Sequence, residues 1–206
     1  MMFDIPDGTE ALIFDCDGTL VESMPLHMEA WRQAFMHFGA AFEEDFLNSL
    51  KGMQEKAVVE SYNRAFGKKL NSEAMVRRKH DFFRKHMSEI KAIDPVADVA
   101  RFYYGKLPLA VVSGSRRSVV LEELNIVGIL PLFKVIFTAD DPYNPKPAPD
   151  LFLEAARRMK VEPQRCFVFE DGESGIVGAK AAGMPAVNIL DYVSTIQLPV
   201  NPGGVK

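Results

Sequence analysis

The sequence has few cysteines, no excess of basic residues and no long apolar run, and each of these features excludes a class of protein. Its two cysteines, Cys16 and Cys166, lie in separate apolar runs without metal-ligand spacing, so we expect free core thiols, as in a reducing compartment. The formal net charge of -4 disfavours a nucleic-acid partner, because such proteins usually need a basic surface. No stretch approaches the roughly 20 apolar residues of a membrane span.

The N-terminal residues also lack the basic segment and following apolar run that mark a signal peptide. We therefore expect a cytoplasmic protein with no membrane and no nucleic-acid partner. We expect it to be a monomer or a weak homo-oligomer.

Apolar residues are plentiful, with 15 Phe and 10 Met in 206 residues, and they form five short runs rich in Val, Ile and Phe. The runs lack polar alternation, which is typical of strands buried on both faces. They are ALIF (11–14), LAVVS (109–113), KVIFT (134–138), CFVFE (166–170) and PAVNI (185–189). Segments with helical spacing separate most of them, at 116–126, 149–160 and 173–183. This alternation predicts an α/β fold, a Rossmann-like doubly wound parallel sheet covered by helices on both faces.

One region breaks the alternation of strands and helices. From about Pro25 to Ile93 the sequence contains helical patterns and no convincing strand, directly after the first apolar run. The economical interpretation is an all-helical subdomain inserted after the first strand, with connections near Val21–Pro25 and Ile93–Val96. We therefore expect a core domain of residues 1–22 and 94–206, and an inserted subdomain of residues 23–93.

Polar residues follow four of the predicted strands, at the edge where open parallel sheets bind ligands. They are Asp15 and Asp17, then Ser113-Gly114-Ser115, then Lys146, then Glu170 and Asp171. Four carboxylates at one edge repel each other, and a hard cation such as Mg2+ resolves that repulsion. Ser113, the Gly114 amide and Lys146 suit a phosphate group. The set predicts phosphoryl chemistry that depends on Mg2+.

The motifs DCDGT (15–19), VVSGS (111–115), KPAPD (146–150) and FEDGESGI (169–176) resemble the four ordered motifs of the haloacid dehalogenase superfamily. Each motif is weak alone, but four in order, each closing a predicted strand, form a specific signal. The resemblance covers the whole chain, and the helical insertion stands where that family carries a cap domain. It implies phosphohydrolase or phosphomutase activity.

The resemblance implies a role for each motif residue. Asp15 is expected to be the nucleophile that becomes an aspartyl-phosphate, and Asp17 the general acid and base. Ser113 and Lys146 are expected to hold the transferring oxygens. The expected metal ligands are Asp15, the Asp17 carbonyl, Glu170 (direct or indirect) and Asp171. Thr19, Gly114 and Ser115 are the expected substrate-side residues of the core, and Thr19 is expected to order the turn near Asp17.

The insertion resembles the cap of the β-phosphoglucomutase-like branch and its sugar-phosphatase relatives. HMEAW (27–31), LKG (50–52) and RRKHD (77–81) carry this likeness. It implies that four cap residues contact substrate, namely His27, Lys51, Gly52 and Lys79. One position departs from the mutases, in which an arginine three residues after the Lys-Gly pair holds a second phosphate. Here that position is Glu55, an acid that would repel a phosphate, which favours hydrolysis.

Plainer interpretations of these residues stay open at this point. Asp15 and Asp17 could form a strand-end turn that caps a helix, and Ser113 and Ser115 could be helix N-caps. The remaining residues have structural or solvated alternatives. His27 could be a structural histidine, Lys146 and the Glu170-Asp171 pair could be surface groups, and Lys51 and the run RRKH with Lys79 could be solvated.

Three hypotheses for the function follow from the sequence. The primary one is a Mg2+-dependent phosphatase that hydrolyses a small phosphorylated metabolite, expected to be a sugar phosphate, through an aspartyl-phosphate. The second is a phosphomutase of the β-phosphoglucomutase type. The third is a non-catalytic binding module on the same scaffold, which the intact catalytic positions disfavour.

Overall fold

The computed structural model describes residues 3–50 and 53–193. Its strands are β1 Ala11–Phe14, β2 Leu109–Val112, β3 Val135–Phe137, β4 Cys166–Glu170 and β5 Ala186–Asn188. Its α-helices are α1 Met24–His37, α2 Glu44–Asn48, α3 Glu55–Phe66, α4 Ser72–His86, α5 Asp94–Tyr103, α6 Arg117–Ile126, α7 Asp150–Met159, α8 Glu173–Ala181 and α9 Leu190–Val193. Short 3-10 turns lie at Met87–Glu89, Leu130–Leu132 and Pro163–Arg165.

The five strands form one parallel sheet in the order β3-β2-β1-β4-β5. All residues of β1, β2 and β4 are buried, as expected of central parallel strands covered on both faces. The predicted α/β fold with a parallel sheet is thus confirmed, and each predicted strand lies within two residues of the observed one.

Alternate residues of β1 pack into two separate apolar cores, because successive side chains along a strand point to opposite faces of the sheet. Leu12 and Phe14 pack in an apolar cluster with buried residues of α5 and α6. Ala11 and Ile13 pack on the other face with buried residues of α7 and α8. Helices therefore cover both faces of the sheet, as a doubly wound architecture requires.

Helices α1 to α4 follow β1 and share their own apolar cluster, in which Trp31, Phe35 and Tyr62 pack together. A smaller cluster joins this helical part to the sheet-bearing part, since Phe83 and Met87 pack with Val119 of α6. The chain leaves and re-enters the sheet along two neighbouring segments. The Glu22 N–H donates to the Lys91 carbonyl (2.8 Å) and the Ile93 N–H donates to the Leu20 carbonyl (2.9 Å).

Helix α5 is not among the helices predicted from the sequence. It begins at Asp94, so the second connection, predicted near Ile93–Val96, ends at Ile93 in the structure. Pro95 lies in the first turn, where its missing N–H has no helical partner to lose. Four residues at helical spacing bury one face against the sheet, namely Val96, Ala97, Val99 and Ala100.

Cys16 and Cys166 are buried free thiols, as predicted. Among the described residues, no helix combines the length and the apolar character that crossing a bilayer requires.

Helix α7 is followed by its C-cap residue Lys160, a non-glycine residue in the left-handed conformation (φ 59°, ψ 41°). We expect Lys160→Gly to raise the free energy of unfolding by about 1 kcal/mol, because glycine adopts this conformation without a Cβ clash. Chemical denaturation measures the change. Lys160→Ala is the control, because it removes the side chain but keeps the Cβ. An equal gain from both variants would contradict the conformational explanation.

Candidate active site

The carboxyl ends of the central strands bring the predicted site residues to one edge of the sheet. The Asp15 N–H donates to the Phe169 carbonyl (3.0 Å), and the Ser113 N–H donates to the Phe137 carbonyl (2.9 Å). Sheet hydrogen bonding thus continues one residue beyond β1 and β2. It fixes Asp15 beside the end of β4, whose last residue is Glu170, and Ser113 beside the end of β3.

Three carboxylates form a buried cluster at this edge. One oxygen each of Asp15, Glu170 and Asp171 lies within 4.8 Å of the other two. Two glycines make room for them. A Cβ on Gly18 would lie 2.3 Å from the Asp171 Oδ2, and a Cβ on Gly175 would lie 1.7 Å from the Glu170 Oε1. The glycines of DCDGT and FEDGESGI therefore allow the backbone to approach the acids closely.

Lys146 is the cation inside this acidic cluster. Its Nζ donates to the Asp15 Oδ1 (2.6 Å) and to Glu170, and its side chain is only 8% exposed. Burial alone would lower the pKa of Lys146, but the charges of Asp15 and Glu170 raise it. The lysine is therefore charged and neutralises one of the three carboxylates.

The pKa values of Asp15 and Asp171 reflect both burial and the negative charge that Lys146 does not neutralise. Burial raises the pKa of Asp15 well above its ordinary value. The charge of Lys146 lowers this pKa and that of Glu170 raises it, but burial has the largest effect. Burial and the Glu170 charge likewise raise the pKa of Asp171 to about 6. Oxygen ligands with excess negative charge are what Mg2+ prefers. The residues present therefore fit such an ion, which Asp15, Asp171 and the neighbouring Glu170 would hold.

Asp17 lies two residues from Asp15 in a different environment. Its Oδ1 accepts hydrogen bonds from Ser23 (2.6 Å) and His27 (2.9 Å), and its Oδ2 accepts one from Ser115 (2.6 Å). Burial alone would raise the pKa of Asp17, but the bonds from His27, Ser115 and Ser23 hold it well below its ordinary value. Asp17 is therefore a carboxylate held by three donors from two parts of the fold.

The hydrogen bonds continue from Asp17 into the helical part of the chain. Lys79 Nζ lies 2.9 Å from His27 Nδ1 and 2.5 Å from the Glu55 Oε1. A protonated lysine only donates, so His27 accepts at Nδ1 and donates from Nε2 to Asp17. Glu55 also contacts His80, at 2.6 Å. A continuous series of contacts thus joins Glu55 to Asp17.

The structure places the predicted substrate residues as follows. The Thr19 hydroxyl donates to Asp171 (3.2 Å), and the Ser113 hydroxyl accepts from the Ser115 N–H (3.0 Å). Gly114 is exposed at the start of the following turn. Lys51 and Gly52 lie outside the described residues. Direct contact of these residues, and of His27 and Lys79, with substrate stays a prediction.

The structure corrects one interpretation made from the sequence. A solvated face is wrong for Lys79, which is 4% exposed because His27 and Glu55 surround its amine. Glu55, which was expected to repel a phosphate, pairs with Lys79 and with His80. Sequence reasoning assigned no role to His80, because a contact between α3 and α4 leaves no local pattern.

Glu123 of α6 is a buried acid that the sequence analysis missed. Its Oε2 accepts from the Cys16 thiol (3.4 Å), and its Oε1 has no hydrogen-bond partner among the described residues. Burial, together with the charge of Asp17, raises the pKa of Glu123 to about 10, so the group is neutral at pH 7. Its position beside Val119, Val120 and Leu124, on the buried face of α6, was the available signal.

The chain is similar in sequence and in fold to known proteins. The model of the haloacid dehalogenase-like hydrolase family matches residues 9–183, and the chain therefore belongs to that family. The resemblance carried by the four motifs is thus confirmed.

Individual relatives lie in the predicted branch. Fructose-1-phosphate phosphatase YqaB of Escherichia coli is 34% identical over 178 residues, which cover 86% of this chain and 95% of that protein. The β-phosphoglucomutase of Bacillus subtilis is 29% identical over 189 residues, which cover 87% of this chain and 83% of that protein. The crystal structure of CbbY from Rhodobacter sphaeroides in complex with phosphate has a TM-score of 0.75 and 27% identity, covering 86% of this chain and 84% of that one.

The raised pKa of Asp171 leads to a prediction about metal and pH. In the metal-free folded protein the pKa of Asp171 is about 6, whereas its ordinary value, expected in the unfolded chain, is 3.8. The folded state therefore binds this proton more tightly than the unfolded state does. The contribution of Asp171 to stability is therefore complete below about pH 4 and is lost as the pH rises through about 6. Mg2+ binds the ionised form, so its stabilisation should have the opposite pH dependence.

We expect MgCl2 at about a hundredfold excess over its dissociation constant to add about 2.7 kcal/mol of stability near pH 7.5. The gain should shrink near pH 5, where protons compete for the carboxylates. Thermal unfolding with and without the salt measures it. Asp171→Asn should lose most of the gain, whereas the exposed Asp98→Asn should keep it. A gain that does not change with pH would contradict this placement of the ion.

Proposed function

We propose that this protein is a Mg2+-dependent phosphatase that hydrolyses a small sugar phosphate through an aspartyl-phosphate on Asp15. Membership of the haloacid dehalogenase-like hydrolases and a phosphatase relative support the reaction class. The observation that carries the proposal is the pair Asp15 and Asp17. One of these carboxylates lies in the acidic cluster with Lys146, and the other is held apart by three hydrogen-bond donors.

In the first step an Asp15 oxygen attacks the phosphorus atom, and the bond from phosphorus to the leaving oxygen breaks. Asp17 gives its proton to that oxygen, which departs as an alcohol. The bound phosphate raises the pKa of Asp17 by like charge and so favours the protonated form that this step needs. Lys146 and the Ser113 hydroxyl stabilise the charge on the transferring oxygens. The Mg2+ ion, when bound, supplies further positive charge to the same oxygens.

In the second step Asp17 acts as a base. It takes a proton from a water molecule, the water oxygen attacks the phosphorus atom, and the bond to Asp15 breaks to release phosphate. The donors His27, Ser115 and Ser23 orient Asp17 for both proton transfers. Two easier displacements thereby replace one difficult reaction.

We assign residues 23–93 as a cap that closes over the substrate. Their separate apolar cluster and the paired segments that connect them to the core support this division. Closure excludes bulk water and brings the cap residue His27 to Asp17 of the core. The name of the E. coli relative supports a sugar phosphate as the substrate class.

Asp15→Asn tests the nucleophile. We expect kcat for phosphate release, screened over a panel of sugar phosphates with Mg2+, to fall by at least about a thousandfold, because an amide is a poor nucleophile. Asp98→Asn is the control, since the Asp98 side chain is 69% exposed and pairs with Arg101 of its own helix. Substantial turnover by folded Asp15→Asn protein would exclude this mechanism.

A product analysis separates hydrolysis from phosphoryl transfer between two positions of a sugar. Supplied with β-glucose 1-phosphate and a trace of glucose 1,6-bisphosphate, the protein should release free phosphate without accumulating glucose 6-phosphate, because Lys79 is paired with Glu55, whose charge repels a second phosphate. Phosphate assays and chromatography measure both products. Formation of glucose 6-phosphate as the main product would favour a mutase instead.

A further inference from the structure

Glu55, in the first turn of α3, is connected through Lys79 and His27 to Asp17, the group that transfers protons. Its Oε1 is 2.5 Å from Lys79 Nζ, which is 2.9 Å from His27 Nδ1. The other ring nitrogen of His27 is 2.9 Å from Asp17. Because Asp17 gives its proton to the leaving oxygen, the non-reacting part of the substrate lies on this side of the site. Glu55 is therefore placed to meet that part.

The two members of the ion pair between Glu55 and Lys79 differ in their exposure to solvent. The Lys79 side chain is 5% exposed, whereas the Glu55 side chain is 31% exposed. Trp31 and Phe83 further cover the lysine amine, at 5.5 and 5.7 Å from their ring centres. A molecule that enters from solvent therefore meets the negative end of the pair.

Glu55 also keeps its charge throughout the neutral range. Partial burial alone would raise its pKa, but the hydrogen bonds and charges of His80 and Lys79 lower it to about 2. A second anionic group on the substrate would have to lie against this carboxylate or displace it from Lys79. Both arrangements are unfavourable, the first through like-charge repulsion and the second because it breaks a largely buried ion pair.

We propose that Glu55 restricts the enzyme to esters in which the transferred phosphate is the only anionic group. The inference rests on the proposed function and deepens it. It makes Glu55 a specificity-determining residue, and it makes the preferred leaving group an uncharged alcohol such as a free sugar.

A basic groove beside the site is the competing candidate for the feature that determines substrate preference. It is lined by Lys56, Arg77, His80, Arg84 and Arg116, with the acids Glu73 and Asp81. Arg116 directly follows Ser115, which bonds to Asp17. Lys56 is paired with Glu73, and the exposed arginines favour the approach of any phosphate ester through long-range attraction. If they also held a second phosphate, the enzyme would prefer bisphosphates, so substrate preference decides between the groove and Glu55.

The experiment compares fructose 1-phosphate with fructose 1,6-bisphosphate, which differ by one phosphate. We expect wild-type kcat/KM to favour the monophosphate by at least about tenfold, equivalent to about 1.4 kcal/mol. Glu55→Gln should reduce this preference by about tenfold, because it removes the charge and keeps an acceptor for Lys79. Glu55→Asp should retain the preference. Raising the ionic strength should weaken it in wild type but not in Glu55→Gln.

Glu60→Gln is the matched control, because it makes the same charge change at an exposed position of the same helix. It should leave the preference unchanged. The same two esters are also titrated by calorimetry into Asp15→Asn protein with Mg2+, with and without Glu55→Gln. Binding selectivity is thus measured without turnover, so a failure of the inference is distinguishable from a failure of the proposed reaction. Equal or tighter binding of the bisphosphate when Glu55 is present, or no change on its replacement, would overturn the inference.

Discussion

The ion pair of Lys146 with Asp15 and Glu170 is the interaction on which the rest of the site depends. Three carboxylates meet at the edge of a sheet whose strands are buried on both faces, and burial makes their mutual repulsion strong. The lysine comes from a loop 131 positions further along the chain than Asp15 and offsets one charge. The excess negative charge that remains suits a divalent cation.

The two aspartates of DCDGT show how burial and hydrogen bonding separate similar groups. Asp15 lies among other acids and has a raised pKa, whereas three donors lower the pKa of Asp17. The donors to Asp17 come from the core and from α1, and one of them is itself held by Lys79 of α4. The proposed proton transfer therefore depends on the position of the helical insertion, whereas the proposed nucleophile is held by the sheet and by Lys146.

Much of this arrangement was predictable from the sequence, because it follows local rules. Apolar runs identified all five strands, and the polar residues after them identified the site edge, since parallel strands end together. Contacts between α3 and α4 were not predictable. Glu55, Lys79 and His80 meet only through the packing of α3 against α4, which no single segment specifies. Glu123 was missed because a glutamate on a helix is ordinarily solvated, and its burial beside Cys16 depends on tertiary packing.

The identity of the phosphorylated residue during turnover tests the central claim most directly. Wild-type protein with Mg2+ and a hydrolysed sugar phosphate would be quenched in acid within a single turnover, digested and mapped by mass spectrometry. The account predicts a phosphoryl group on Asp15, at a level that rises and decays with turnover. A phosphoryl group on Asp17 or Ser113, or turnover with no phosphorylated peptide, would contradict it.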